Sequence, residues 1–258
     1  MPIDFHNENV RFTYAGRAVD CSWLGEFQEW VDVRDRRIAD IGCGGGIYSK
    51  AMIELGAAHV TGVDYSEMSL ESARQYCEAV GHAEFVKGDA ATTSLPSGQY
   101  DVVLERALIH HLPELSPCFN EAYRLLDVGG TLIVQDRTPE DCLLAGSSNH
   151  IRGYLFEKFP SLAQVEADRR HASHSVIEAL KAAGFRRVDE FQFWETRRVY
   201  AHFDLLADDL LKRTGRSILH EISDEELKEL VEYIRKQLGV QAAPIVEQDR
   251  WTVWKASK

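Results

Sequence analysis

Residues 37–50 read RIADIGCGGGIYSK: a short apolar run holding one acid, Asp40, then four glycines within five positions, Gly42, Gly44, Gly45 and Gly46. A strand that ends in glycines and opens a helix either marks the ligand edge of an open α/β sheet or is a tight turn made for packing alone. Glycines let a ligand come close to the backbone, and the first turn of the helix offers it unpaired amides. The scheme repeats downstream. IYSKAMIELG (47–56) reads as a helix that Gly56 ends, and HVTGVD (59–64) as a second strand. Ser66 then caps a helix whose Leu70, Ala73, Cys77 and Val80 recur at spacings of three and four, before Gly81 closes it.

AEFVKG (83–88), YDVVLE (100–105) and TLIVQD (131–136) supply the third to fifth strands, with ELSPCFNEAYRLLDVGG (114–130) as the helix between the last two. SHSVIEALKAAGF (173–185) offers Ser175 and Glu178 as a capping box and Gly184 as a stop, ahead of a strand at 186–194. IVEQDRWTVWKA (245–256) completes the set. If it lies beside the 186–194 strand with no crossover helix, it runs antiparallel. The predicted fold is α/β: a doubly wound, mostly parallel seven-stranded sheet with an antiparallel last strand, helices on both faces and helical lid segments.

Three stretches fall outside this minimal sheet: 1–36, 139–172 and 195–244. Structureless loops of that length are rare in compact domains. The last contains a patterned helix, with Ser223 and Glu226 as a capping box and Leu227, Leu230, Val231, Ile234 and Leu238 on one face. The organisation expected is one domain over 1–258, with 1–36 as an N-terminal lid and the two insertions as a cap over the carboxyl ends of the strands.

Composition narrows the partners. The 41 acidic and 29 basic residues leave a formal charge of -12, a field that repels nucleic-acid backbones and anionic lipid. The start MPIDFHNENVRF lacks a basic leader with an apolar run, and no stretch approaches a membrane span, so a cytoplasmic protein is expected. Five cysteines with no C-x-x-C pair read as reduced thiols.

Asp64 ends the second strand about 20 residues after the glycines, where a carboxylate accepts both hydroxyls of a ribose. The ligand therefore contains a nucleoside. The loop G-C-G-G-G has Ile47 where a dinucleotide fingerprint has its third glycine, and Asp40 would set a negative charge near a pyrophosphate. A cationic ligand fits better, with an NAD-dependent oxidoreductase as the alternative.

Taken in order, IADIGCGGG, VTGVDYS, VKGDA, YDVVLERALIHHL and GGTLIVQD resemble the class I (Rossmann-like) S-adenosylmethionine-dependent methyltransferases, closely over about 37–138 and more loosely beyond. The resemblance implies that 37–138 is the cofactor-binding half. Gly42, Gly44 and Gly46, with Cys43 as a small residue between them, would let the methionine portion lie against the loop. Asp40 would help hold its ammonium. Asp64 would take the ribose and Tyr65 the adenine face. Asp89 would accept from the adenine amino group with the Ala90 amide on the ring, its competing role being an Asx-type turn. Glu105 and Arg106 would line the pocket, or form a surface ion pair. Tyr14 and Arg17 of the N-terminal segment would cover the cofactor, Arg17 forking onto its carboxylate.

Methyl transfer from a sulfonium asks the protein to align, to desolvate and sometimes to remove a proton. His110 and His111 follow the fourth strand, and histidine titrates near working pH, so one of them is the candidate general base; a structural role competes. His150, His171 and His174 fall in or beside the second extra segment. Asp136 and Glu140 have no partner at convincing ligand spacing, so no metal is expected. The expected cofactor is S-adenosylmethionine, leaving as S-adenosylhomocysteine, and the expected partner a small-molecule acceptor. Nucleic acid and membrane are not expected as partners, and the protein would be a monomer or a homodimer. A non-catalytic module that binds the same cofactor is a further alternative.

Overall fold

The computed structural model describes residues 19–239 and 244–258. Tyr14 and Arg17 lie outside the described residues. The first described helix, α1 (Cys21–Trp30), starts where Asp20 accepts a hydrogen bond from the Ser22 amide at 2.9 Å, and it buries Trp23, Phe27 and Trp30 on one face. Strand and helix then alternate as β1 (Arg37–Ile41), α2 (Ile47–Glu54), β2 (His59–Asp64), α3 (Glu67–Cys77), β3 (Ala83–Lys87), β4 (Tyr100–Arg106), α4 (Ser116–Leu125) and β5 (Leu126–Asp136). After β5 come α5 (Pro139–Cys142), α6 (Gly153–Lys158), α7 (Ser161–Ala167), α8 (Ser173–Ala182), β6 (Arg187–Tyr200), α9 (Phe203–Leu211), α10 (Asp224–Leu238) and β7 (Ile245–Ser257).

The strands form one seven-stranded sheet in the order β3-β2-β1-β4-β5-β7-β6, parallel from β3 to β5, with β7 antiparallel to β5. This is the expected architecture. The order reverses between β1 and β4, whose ends are in register at Ile41 and Glu105. Such a reversal opens a crevice beyond the carboxyl ends of the strands, where α/β sheets bind ligands.

Two helix boundaries differ from expectation. α4 stops at Leu125 rather than running on to the glycines, because Leu126 already pairs with Tyr100. The chain then bulges through Asp127–Gly130, with Gly129 at φ 81, before pairing resumes at Thr131 and Val102. α8 starts three residues early, at Ser173 with Ala172 as its N-cap, without the Ser175–Glu178 box. Ser173 instead donates to Glu190 at 2.5 Å and accepts from the Trp254 indole at 2.9 Å. The Ser223–Glu226 capping box of α10 is formed.

The chain divides into two compact units where the sequence suggests one domain with inserted segments. One contains the described residues up to Asp136 with Ala172–Gln192 and Thr252–Lys258. Its core joins β1, β4 and β5 to α4 and α8 through Ala39, Ile41, Val103, Phe119, Leu125, Val134, Val176 and Trp254. The other, here the insertion unit, is made of Arg137–His171 and Phe193–Trp251. It has a core of its own, in which the apolar face of α10 meets α6 and α9 through Leu227, Leu230, Ile234, Leu155 and Leu206. Each such buried aliphatic side chain contributes roughly 1.5–3 kcal/mol of transfer free energy. A stripe that looks like a lid in isolation is thus spent within its own unit.

Candidate active site

β1 carries Asp40 to the crevice, 3% exposed, where the Ser49 hydroxyl donates to its Oδ2 at 2.5 Å. Burial pushes the Asp40 carboxyl up to about 6; Asp64 adds to the rise, and the Ser49 bond and the Arg106 guanidinium oppose it. The three expected loop glycines have different reasons to be glycine. Gly42 has φ 75, its amide donates to the Val63 carbonyl at 2.7 Å, and a Cβ there would lie 3.0 Å from Leu108. Gly46 has φ 78, and a Cβ would meet that of Ala73 at 2.9 Å, so it is demanded by the packing of α2 on α3. Gly44 has φ 52, and a Cβ there would meet nothing within 4 Å: this is the bare stretch of loop. The Cys43 side chain is not brought to that surface. It packs with Leu70, Ala73, Cys77 and Phe85, and burial, with Asp40 and Asp64 nearby, raises its thiol well above the ordinary value.

Asp64 is held at both oxygens, Oδ2 accepting from the Gly44 amide and Oδ1 from the Ser66 amide, each at 2.9 Å. Burial raises its pKa and those amides counter the rise. A carboxylate oxygen accepts more than one hydrogen bond, so the two amides orient the group without saturating it. Tyr65, next along, is 49% exposed. Asp89 accepts from the Ala91 amide at 2.8 Å, so the Asx-type turn is formed, and Ala90 packs half-buried against the core.

Glu105 and Arg106 end β4 and, as strand neighbours, leave on opposite faces. Glu105 is 1% exposed, which excludes a surface ion pair. Its Oε1 accepts from the Cys118 thiol at 3.3 Å, its Oε2 is buried without a hydrogen-bond partner, and burial pushes the carboxyl up to about 7. The Arg106 guanidinium lies 4.0 Å over the Tyr48 ring. That ring meets Trp23 edge-on, and the Trp23 indole donates to Gln135 at 2.7 Å, which ties α1 to the ends of α2 and β5. Ala107 follows at φ 52, a left-handed conformation that a non-glycine residue adopts at a cost.

The two histidines separate. His110, in the short 3-10 turn Ile109–His111, places Nδ1 2.8 Å from Asp136 Oδ2, and its amide donates to the same oxygen at 3.2 Å. Asp136 is buried at the end of β5. His111 is exposed, its ring 3.9 Å from that of His110. Sequence reasoning weighed Asp136 only as a metal ligand. The signal for its role was positional: an acid ending the strand beside the one whose following turn carries the histidine. His150 is buried in the insertion unit, with Nδ1 3.3 Å from the Gln248 carbonyl and its ring against Trp194, and burial lowers its pKa. His171 is half-buried and His174 exposed. Among the described residues no group of three His, Cys, Asp or Glu side chains could hold a metal ion, and no helix is long and apolar enough to cross a membrane.

A bare loop at Gly44, a doubly anchored Asp64, an exposed ring at Tyr65 and a buried acid at Asp40 suit an adenosyl ligand that carries positive charge, which is S-adenosylmethionine. A pyrophosphate in that place would face Asp40. A family model described as a methyltransferase domain matches residues 39–134. The ubiquinone biosynthesis O-methyltransferase of Marinobacter nauticus is 33% identical over 172 residues, 60% of this chain and 70% of that protein. Its namesake from Pseudomonas aeruginosa is 34% identical over 125 residues, 45% of this chain and 53% of the relative. The chain thus spans about half the length of most curated relatives it matches. A solved structure from Anabaena variabilis, named as a candidate methyltransferase of an antibiotic biosynthesis pathway, superposes with a TM-score of 0.70 at 22% identity, covering 92% of this chain and 98% of that one, and so shares the fold. With the same motifs lining the crevice and a relative matched across most of its length, the chain belongs to the class I, Rossmann-like S-adenosylmethionine-dependent methyltransferases.

Proposed function

We propose that the protein transfers the methyl group of S-adenosylmethionine to a small organic acceptor and that His110, oriented by Asp136, takes the acceptor's proton. The observation that carries this reading is the 2.8 Å contact between His110 Nδ1 and a buried carboxylate at the mouth of the crevice. The carboxylate selects the tautomer with the proton on Nδ1 and so puts the basic lone pair on Nε2. Bound in the crevice, the cofactor supplies an electrophilic methyl on a neutral leaving group, displaced in line by the acceptor atom.

In this reading Asp64 takes the ribose hydroxyls, Tyr65 lies along the adenine, and Asp89 with the Ala90 amide reads its edge. Asp40 and Arg106 face the amino-acid end of the cofactor. Oxygen or nitrogen acceptors that hold a proton at neutral pH are those a base serves, and the relatives named for O-methylation support an oxygen acceptor. The charge of -12 makes nucleic acid a poor acceptor.

The test is transfer from labelled cofactor across a panel of phenols, amines and carboxylic acids. Transfer to at least one class is expected, with kcat lowered about 100- to 10,000-fold in His110→Asn and Asp136→Asn while cofactor affinity is kept. Binding of the cofactor with no transfer to any class would leave a binding module and defeat the proposal.

A further inference from the structure

The loop 88–99, between β3 and β4, carries at its start the two residues given the adenine edge, Asp89 and Ala90. That end is an open turn. Asp89 is exposed, and its side chain and its carbonyl accept from the Ala91 and Thr92 amides at 2.8 and 2.9 Å. Such a turn fixes the few residues inside it and leaves its direction to whatever holds the residues that follow. Here that is α4.

Glu121 and Arg124 stand one turn apart on α4 and pair with each other, Arg124 donating from Nε to Oε2 at 2.8 Å and from Nη2 to Oε1 at 2.7 Å. Both also reach the loop. Glu121 Oε1 accepts from the amide and the hydroxyl of the buried Thr93, at 2.8 and 2.5 Å. Arg124 donates from Nη2 to the Leu95 carbonyl at 2.8 Å and from Nη1 to the Ser97 hydroxyl at 2.6 Å. The Arg124 guanidinium, with Thr93 after it, holds the Glu121 carboxyl down at about 2 against its burial, so this clamp stays charged at neutral pH.

The clamp sets a conformation. Between its two grips Ser94 has φ 63, a left-handed backbone that a residue with a side chain adopts at a cost. That conformation is held from both sides, by Glu121 at Thr93 and by Arg124 at Leu95. Thr93 in turn packs on the start of the loop: a Cβ on Gly88 would lie 2.8 Å from Val63 and 3.1 Å from the Thr93 carbonyl oxygen, and the Gly88 amide donates to the Asp64 carbonyl at 3.1 Å. Asp89 and Ala90 are thus suspended between a fixed Gly88 and a fixed Thr93.

We infer that Glu121 and Arg124 are positioning residues for the cofactor: by fixing Thr93 and Leu95 they aim Asp89 and the Ala90 amide, and so set the discrimination of adenine from purines that lack its amino group. This role rests on the adenine contact proposed for Asp89. The probe is S-inosylhomocysteine, which presents a carbonyl where Asp89 needs a donor and an N–H where the Ala90 amide needs an acceptor. In calorimetry on the full chain, the wild type should bind S-adenosylhomocysteine about 10- to 100-fold more tightly than this probe. In Glu121→Ala and Arg124→Met the ratio should fall to about 3-fold or less, through weaker binding of S-adenosylhomocysteine alone. Unchanged binding of S-inosylhomocysteine shows that the crevice of each variant is folded. Arg124, with a side chain 37% exposed, carries the test should Glu121→Ala fail to fold. A clamp that only stabilises the loop would lower the urea midpoint, or weaken both ligands equally, and leave the ratio as in the wild type; that result overturns the positioning role alone. A wild type that binds the two ligands alike overturns the contact at Asp89 and the positioning role with it.

Discussion

The carboxylates buried at the strand ends and those buried in the insertion unit are removed from water to the same degree and are shifted in opposite directions. Asp40 and Glu105 are pushed up to about 6 and about 7 by burial. In the insertion unit, where burial acts the same way, the facing guanidiniums outweigh it. Asp209 is lowered to about 2 by Arg216 and Arg197, and Glu166 to about 2 by Arg152 and Arg170. Arg216 alone donates to both oxygens of Glu247, at 2.6 and 2.7 Å, and to Asp209 at 2.6 Å. The insertion unit cancels its buried charge internally, which holds α9 and the ends of β6 and β7 in one arrangement. The crevice leaves its acids undercompensated, which costs stability and favours a cationic ligand.

The largest test of that contrast removes one cation from the network. Arg216→Met removes the guanidinium bonded to both oxygens of the buried Glu247 and to Asp209, and should cost about 3–5 kcal/mol, read as a lowered urea midpoint. A loss below about 1 kcal/mol would mean that the network is solvated and structurally idle.

The crevice predicts the opposite sign. Glu105 has a raised folded pKa, so the folded state holds its proton longer than the unfolded chain. Its contribution to stability is intact below the ordinary value of 4.5 and is lost as pH rises through about 7. Glu105→Gln removes the ionisable proton and should therefore stabilise the protein by up to about 3 kcal/mol at pH 8, an advantage that grows from about pH 4.5 and levels off above 7. The acids of the insertion unit behave inversely: Glu166 and Asp209 lose their contribution as pH falls from their ordinary values, 4.5 and 3.8, towards 2. Denaturation series from pH 3 to 8 on wild type, Glu105→Gln and Arg216→Met separate the two. An unchanged pH profile in Glu105→Gln would contradict the account of the crevice.

A smaller effect distinguishes two glycines of the same loop. Gly46→Ala meets both a left-handed backbone and the Ala73 side chain and should cost about 2–4 kcal/mol of stability. Gly44→Ala meets the backbone cost alone, about 1 kcal/mol, while its new methyl intrudes where a ligand would lie, so cofactor affinity should fall more than stability. Equal stability losses at the two positions would erase the distinction between a packing glycine and a ligand glycine.

The opening stretch and its downstream partners were legible because they are local. Periodicity placed the strands, and the carboxylates at 40, 64 and 89 stand at strand ends, where a fold class implies a location before any contact is known. What the sequence concealed is non-local. The end of α4 is decided by Leu126 pairing with Tyr100 across the sheet, and helix periodicity carries no trace of that. The role of Asp136 depends on a histidine 26 positions earlier. The insertion unit joins segments far apart in the chain, as in the bond from Arg250 to Asp141 across 109 positions, and no local pattern reports such a partner. The 224–238 helix is amphipathic by its spacing alone, yet its stripe does not say which surface it meets.

Direct calorimetric titration tests whether the crevice is built for S-adenosylmethionine before any acceptor is known. Both S-adenosylmethionine and S-adenosylhomocysteine should bind with dissociation constants in the micromolar range, about -8 kcal/mol, and Asp64→Ala should lose that binding while remaining folded. Absence of heat with either ligand in the wild-type protein, or undiminished affinity in Asp64→Ala, would contradict it.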